Sequence, residues 1–127
     1  MRLKNDLYTV LRRDTNAFAG IFDVKLNSEC FIYKAHFPGE PVTPGVCIVQ
    51  MGKELLEELV GCQLDIVRVK NVKFLSVLSP TDDTVVTFCV KKMELSELAR
   101  EVSTQMEVSA DGMAKAKLSF TCAMRAE

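Results

Sequence analysis

The sequence contains no tryptophan and a single histidine. One imidazole and five cysteines (Cys30, Cys47, Cys62, Cys89 and Cys122) without a CxxC pair supply no cluster at metal-ligand spacing, so no metal site is expected. An odd number of thiols set inside apolar stretches suits small buried hydrophobes in a reducing compartment, which points to the cytoplasm. Neither sign of charge dominates. Sixteen Lys and Arg against 17 Asp and Glu leave a formal net charge of −1, spread along the chain, and this excludes the electrostatic footprint of a nucleic-acid or membrane-surface binder. No apolar run reaches the length of a membrane span, and the opening MRLKNDLYTVLRRD is broken by charge every few residues, unlike a signal peptide. Linkers, repeats and low-complexity segments are also missing, and 127 residues suit one domain, 1–127.

Most of what is present reads as strand. AFAGIFDVKL (17 to 26) and SECFIYKAHF (28 to 37) flank Asn27-Ser28, a plausible turn pair. VRVKNVKFLSVL (67 to 78) and TVVTFCVKKMEL (84 to 95) follow, with a slip in alternation between Val69 and Val72 that suggests a bulge. In VSTQMEVSA and AKAKLSFTC the apolar residues fall on even numbers, and a three-residue loop of Ala110, Asp111 and Gly112 would pair Val108 with Ala114 and Met106 with Ala116. One segment differs. From Val46 to Val60 apolar residues recur at 48, 51, 55 and 59, a helical period bounded by Pro44-Gly45 and Gly61, with Gln50, Glu54, Glu57 and Glu58 on the remaining side. The reading is an α+β domain with an antiparallel sheet of about six strands wrapped around one central helix.

HFPGEPVTPGVCIVQ, residues 36 to 50, carries the only histidine and three of the four prolines. Prolines at 38, 41 and 44 fix φ and reduce the entropy lost when the loop is held rigid. Gly45 precedes the helix, whose free N–H groups and positive dipole end can bind an oxygen on which negative charge develops. A histidine nearby would supply a base of near-neutral pKa. A turn with a hydrogen-bonded histidine would carry the same residues.

His36-Phe37-Pro38-Gly39, Pro41-Val42 and Pro44-Gly45-Val46 closely resemble the HFPG-x-P-[VI]-x-PG-[VC] signature of the 3-hydroxyacyl-(acyl carrier protein) dehydratases, hot-dog-fold enzymes of fatty-acid elongation. VKFLSVLSPTDDTV (72 to 85) and Ser109 to Ala114 are similar to two weaker motifs of that family, with Thr81 where a glycine is usual. The resemblance implies that His36 is the general base at C2 of a 3-hydroxyacyl thioester held on acyl carrier protein. It implies that Val42 orients the imidazole through its carbonyl and that Gly45 or Val46 N–H holds the thioester oxygen. Phe37, with Phe18, Phe22 and Met51, would line an acyl tunnel or belong to the core. No cofactor is implied. The family's acid for the leaving hydroxyl stands fourteen positions after the histidine, and there this chain has Gln50, with Glu54 one turn further where the family commonly has glutamine. A carboxamide hydrogen-bonds but cannot donate a proton as an acid does. Glu54 would either reach the substrate, directly or through Gln50, or begin a solvated stripe with Lys53, Glu57 and Glu58; the stripe is the favoured reading. The resemblance further implies a homodimer or higher even oligomer sharing its sites across the seam, possibly a heterodimer. Arg68, Lys70 and Lys73, or Lys91-Lys92, would face an acidic carrier, although solvent-facing strand residues of this kind are usually uncommitted. Alternatives are a non-catalytic or complementing hot-dog subunit and an acyl thioesterase.

Overall fold

The computed structural model describes residues 1–35 and 39–126. Six strands, β1 (Tyr8–Thr15), β2 (Gly20–Leu26), β3 (Leu64–Phe74), β4 (Val85–Ser96), β5 (Glu101–Ala110) and β6 (Met113–Met124), form one antiparallel sheet in the order β1-β2-β4-β5-β6-β3. Two helices interrupt the strands, α1 (Phe31–Ala35) and α2 (Gly45–Val60). The inward faces follow the period of two: Phe22 and Val24 on β2, Val86 and Phe88 on β4, Met106 and Val108 on β5, Leu118 and Phe120 on β6 are all buried. Against them α2 buries Ile48, Met51, Leu55 and Leu56, which completes the core of a sheet wrapped round a helix. The helix stops where expected, at Gly61, whose φ of 85° lets its N–H reach the Glu57 carbonyl at 2.8 Å.

The number of strands is as expected, but two assignments change places. The segment 28 to 37 is not a strand: Asn27 accepts from Glu29 N–H, Cys30 N–H returns to the Asn27 carbonyl, and the chain turns into the five-residue α1, which buries Ile32 and Tyr33. Asn27-Ser28 therefore ends β2 without making a hairpin. The missing strand is YTVLRRDT. As β1 it occupies the sheet edge with only Tyr8 fully buried, and its charges suit an edge that must resist further pairing.

The β5–β6 hairpin also differs from expectation. Its loop has two residues, Asp111 and Gly112, at φ 52° and 74°, and Ala110 pairs with Met113. A bulge between Val108 and Ser109 then shifts the register so that Val108 meets Ala116 and Met106 meets Leu118. Apolar residues still face apolar residues, but the correction comes from the bulge and not from a longer loop. The extra residue is Lys115, which turns inward, is buried, and ion-pairs with Asp83 at 3.4 Å while donating to the Val77 carbonyl at 3.2 Å. In β3 the register slips between Val69 and Asn71, where the alternation fails in the sequence, and once more between Ile66 and Arg68.

Candidate active site

The start of α2 lies at one end of a groove of about 450 Å³ lined by Val42, Gly45, Ile48, Phe74, Leu75 and Val77, among others. Pro44 stands at the N-cap in an extended conformation and no side chain caps the helix. Cys47 and Ile48 N–H both go to the Pro44 carbonyl, at 2.9 and 3.2 Å, so the N–H groups of Gly45 and Val46 lie ahead of the first intrahelical bond. Gly45 is set by packing: a Cβ there would fall 2.5 Å from Cζ of Phe74 and 2.7 Å from its Cε2. Val46 is exposed. The wall formed by residues 75 to 78 leaves the β3 ladder and is held by Lys115, whose carbonyl accepts from Leu75 and Ser76 N–H at 2.8 and 3.3 Å.

His36 and Phe37 lie outside the described residues. The chain on either side is tied down. Thr43 N–H donates to the Leu78 carbonyl at 2.8 Å, and its buried hydroxyl shares a 2.8 Å hydrogen bond with the Tyr33 hydroxyl, which joins α1 to the proline-rich loop. Burial pushes the Tyr33 phenol up to about 12. Neither Tyr33 nor Thr43 stands out in the sequence, because nothing local announces that two residues ten apart will meet.

The polar row of α2 is not a solvated stripe. Glu54 is 2% exposed and its carboxylate accepts from four donors: Leu3 N–H at 2.7 Å, Lys4 N–H at 2.8 Å, the Tyr8 hydroxyl at 2.9 Å and Gln50 Nε2 at 2.8 Å. Glu57 is also buried, accepting from Leu64 N–H at 2.8 Å and pairing with Arg2 and Lys53. Only Glu58 is exposed. Partial burial pushes its carboxyl up, but bonds from Arg13 and Lys4 more than offset this and hold it below its ordinary value. The favoured expectation therefore fails at Glu54 and Glu57, because the first eight residues fold over this side of the helix and replace water as hydrogen-bond donors. Gln50 is half-buried and uses its second N–H on the Met1 carbonyl at 2.7 Å. Burial, and after it the charge of Glu54, push the Tyr8 phenol up strongly.

Of the apolar residues suggested for a tunnel, Phe22 and Met51 are core and Phe18 is exposed beside the β1–β2 turn. Among the described residues no three of His, Cys, Asp or Glu are placed to hold a metal ion, and no helix is long and apolar enough to cross a membrane. Arg68 pairs with Glu101 and Lys92 with Glu94, whereas Lys70, Lys73 and Lys91 are exposed.

Residues 12–113 match the family model described as ApeI-like, ApeI dehydratase. The chain belongs to the ApeI-like dehydratase family. No curated protein matches it. Among solved structures it is similar to the dehydratase heterocomplex ApeI:P from Xenorhabdus doucetiae, at 17% identity and a TM-score of 0.69 over 92% of this chain and 97% of that one. It is also similar to Cj0977, a sigma28-regulated virulence protein from Campylobacter jejuni, at 12% identity and a TM-score of 0.71 over 100% and 89% of the two chains. A hypothetical thioesterase with coenzyme A from Streptococcus pneumoniae aligns at 11% identity and a TM-score of 0.67 over 94% and 87%. At these identities the structures establish the hot-dog fold of this ApeI-like chain, while the family match carries the dehydratase assignment.

Proposed function

We propose that this ApeI-like chain dehydrates 3-hydroxyacyl thioesters carried on acyl carrier protein to 2-enoyl thioesters, in fatty-acid or related acyl-chain synthesis. The observation that carries the reading is the uncapped start of α2, with Gly45 and Val46 N–H ahead of the first helical bond, opening on an apolar groove beside the HFPG loop. In this scheme the neutral imidazole of His36, oriented by the Val42 carbonyl, takes the C2 proton of the thioester. The charge that develops on the thioester oxygen is held by the N–H groups of Gly45 or Val46, an arrangement worth a few kcal/mol per donor. The electron pair from C2 forms the double bond to C3, the C3–O bond breaks, and the hydroxyl leaves with a proton as water. Gln50 contributes a hydrogen bond to that hydroxyl. Glu54 anchors the start of the chain, because its oxygens are already committed to four protein donors. The same commitment weighs against thioester hydrolysis at this position, which needs a carboxylate free to attack or to activate water.

In our reading the site forms across a pair of chains. β3 lies at the sheet edge and leaves Val67 and Val69 exposed, a surface suited to pairing with a second sheet. One observation favours a second reading of the partner: with both Gln50 N–H groups and all of Glu54 engaged, the polar row of α2 offers no free acid toward the leaving hydroxyl. A second, acid-bearing hot-dog chain would then complete the site, as a heterocomplex. The test is to incubate the purified chain with a 3-hydroxyacyl-carrier substrate, alone and mixed with an acid-bearing dehydratase subunit, and to follow 2-enoyl product. His36→Ala is expected to lower turnover by about 10²- to 10⁴-fold. Turnover that ignores this substitution, or thiol release without enoyl product, would overturn the proposal.

A further inference from the structure

Two register slips in the sheet each insert one extra residue, and both extra residues are lysine. In β3 the pairing steps from Val69 to Asn71 and leaves out Lys70; in β4 it steps from Val90 to Lys92 and leaves out Lys91. Both line the same concavity of about 370 Å³ on the outer face of the sheet, with Gln105, Glu107, Lys117 and Ser119. A second concavity of about 300 Å³ continues from it along the strands, sharing Lys70, Gln105 and Ser119. Ion pairs on this face join Arg68 to Glu101 and Lys92 to Glu94, and leave Lys70, Lys91 and Lys117 without a carboxylate partner among the described residues. Glu107, directly across from Lys117 in the register, makes no ion pair with it. Three lysines against one glutamate give the trough a surplus of two positive charges in a chain whose net charge is −1.

We propose that this trough docks an acidic helix of a partner protein. β4 and β3 are three strand steps apart in the sheet order, about 14 Å at roughly 4.8 Å per step. A helix of about 10 Å diameter fits between the lysine rows. The floor between them, Gln105 and Ser119, is short and polar and does not obstruct it. A small anion is a poorer fit. It needs donors converging on one point, whereas these ammonium groups are spread along two rims and the sheet's N–H groups are spent in the ladder. Carboxylates at i and i+4 on a helix match the spread. Bulges recur in sheets where a side chain has to be re-aimed, and here both re-aim a lysine to the same trough.

The probe is a stapled helical peptide of about 20 residues with glutamate at i, i+4 positions, compared with the same peptide carrying glutamine and with inorganic pyrophosphate. Binding is read by anisotropy, and its location by amide shift changes on the folded chain. The glutamate peptide is expected to bind, to shift resonances of β5 and β6 around Gln105 and Ser119, to weaken as salt is raised, and to lose about tenfold in affinity with K70E/K91E. Both substitutions are at exposed positions, and an unchanged circular dichroism spectrum confirms the fold. No saturable binding, equal binding of the glutamine peptide, equal affinity for K70E/K91E, or displacement of the peptide by pyrophosphate at lower concentration would each overturn the proposal. Because no thioester enters the assay, its outcome is independent of the dehydratase reading.

Discussion

Gln50 and Glu54, one turn apart on α2, share a hydrogen bond of 2.8 Å in which the carboxamide donates and the carboxylate accepts. The Met1 carbonyl takes the other N–H of Gln50, and a carbonyl can only accept. The polarity of the Gln50 amide is therefore set by its neighbours. Both donors are held by the chain itself, and the carbonyl oxygen Oε1 is the pole left to meet anything else. The acid and the amide have exchanged places relative to the family's usual order, and the acid has acquired a structural task.

That task predicts a large effect on stability. Glu54→Ala removes the acceptor for two backbone N–H groups, a phenol and an amide in a buried setting. Unpaired buried donors cost about 1–3 kcal/mol each, with partial relief as the strap loosens, so a loss of about 3 kcal/mol is expected in urea unfolding. Faster hydrogen exchange at Leu3 and Lys4 would accompany it. A loss below about 1 kcal/mol would show that the N-terminal strap is not held by this residue.

The two tyrosines set an alkaline limit. Tyr8 is shifted up strongly by burial and by Glu54, and Tyr33 is pushed up to about 12 by burial. Below pH about 10 both states keep the phenols protonated, so neither tyrosine makes stability depend on pH there. Above it the unfolded chain loses protons that the folded chain retains, and stability falls by up to about 1.4 kcal/mol per pH unit for each tyrosine. A phenolate absorbance titration is expected to stay flat past pH 10 and then rise together with unfolding. Ionisation near pH 10 with the fold intact would contradict the burial of these hydroxyls.

Gly45→Ala places a methyl group against the Phe74 ring, while Gly39→Ala meets nothing within 4 Å. The first is expected to cost about 1–3 kcal/mol through overpacking and to abolish turnover by displacing the start of α2. The second serves as the control and is expected to leave both unchanged.

Lys115→Ala strips Asp83 of its buried partner and frees the carbonyl of Val77 on the groove wall. Breaking a buried pair on one side typically costs about 3–5 kcal/mol, and thermal unfolding of the variant measures it. Lys115→Ala/Asp83→Ala together is expected to recover part of the loss. Additive losses would mean that the two side chains are not coupled.

The residues reveal the two ends of the site unequally. Helix α2 is legible because its apolar period, Pro44-Gly45 before it and Gly61 after it all agree, and the strands β4 to β6 are legible by alternation. β1 is hidden because an edge strand with charges toward water has only Tyr8 to mark its inner face. α1 is hidden because five residues are too few for a helical period to show. Glu54 misleads for a different reason: a glutamate on the polar side of a helix is normally solvated, and its burial is decided by Leu3, Lys4 and Tyr8, some fifty residues away in sequence. Lys115 misleads because a bulge moves it from the outer row to the core.

The most direct test of the central claim follows the hydrogen on C2. In deuterated water the chain is incubated with a 3-hydroxyacyl-carrier thioester, and deuterium entering C2 is measured beside enoyl formation for wild type, His36→Ala and Gln50→Glu. A site with a base and no committed acid is expected to exchange C2 hydrogen faster than it loses water. Exchange should disappear with His36→Ala, and water loss should rise with Gln50→Glu. A wild-type chain that exchanges no deuterium, or one whose exchange survives the loss of His36, would contradict the account.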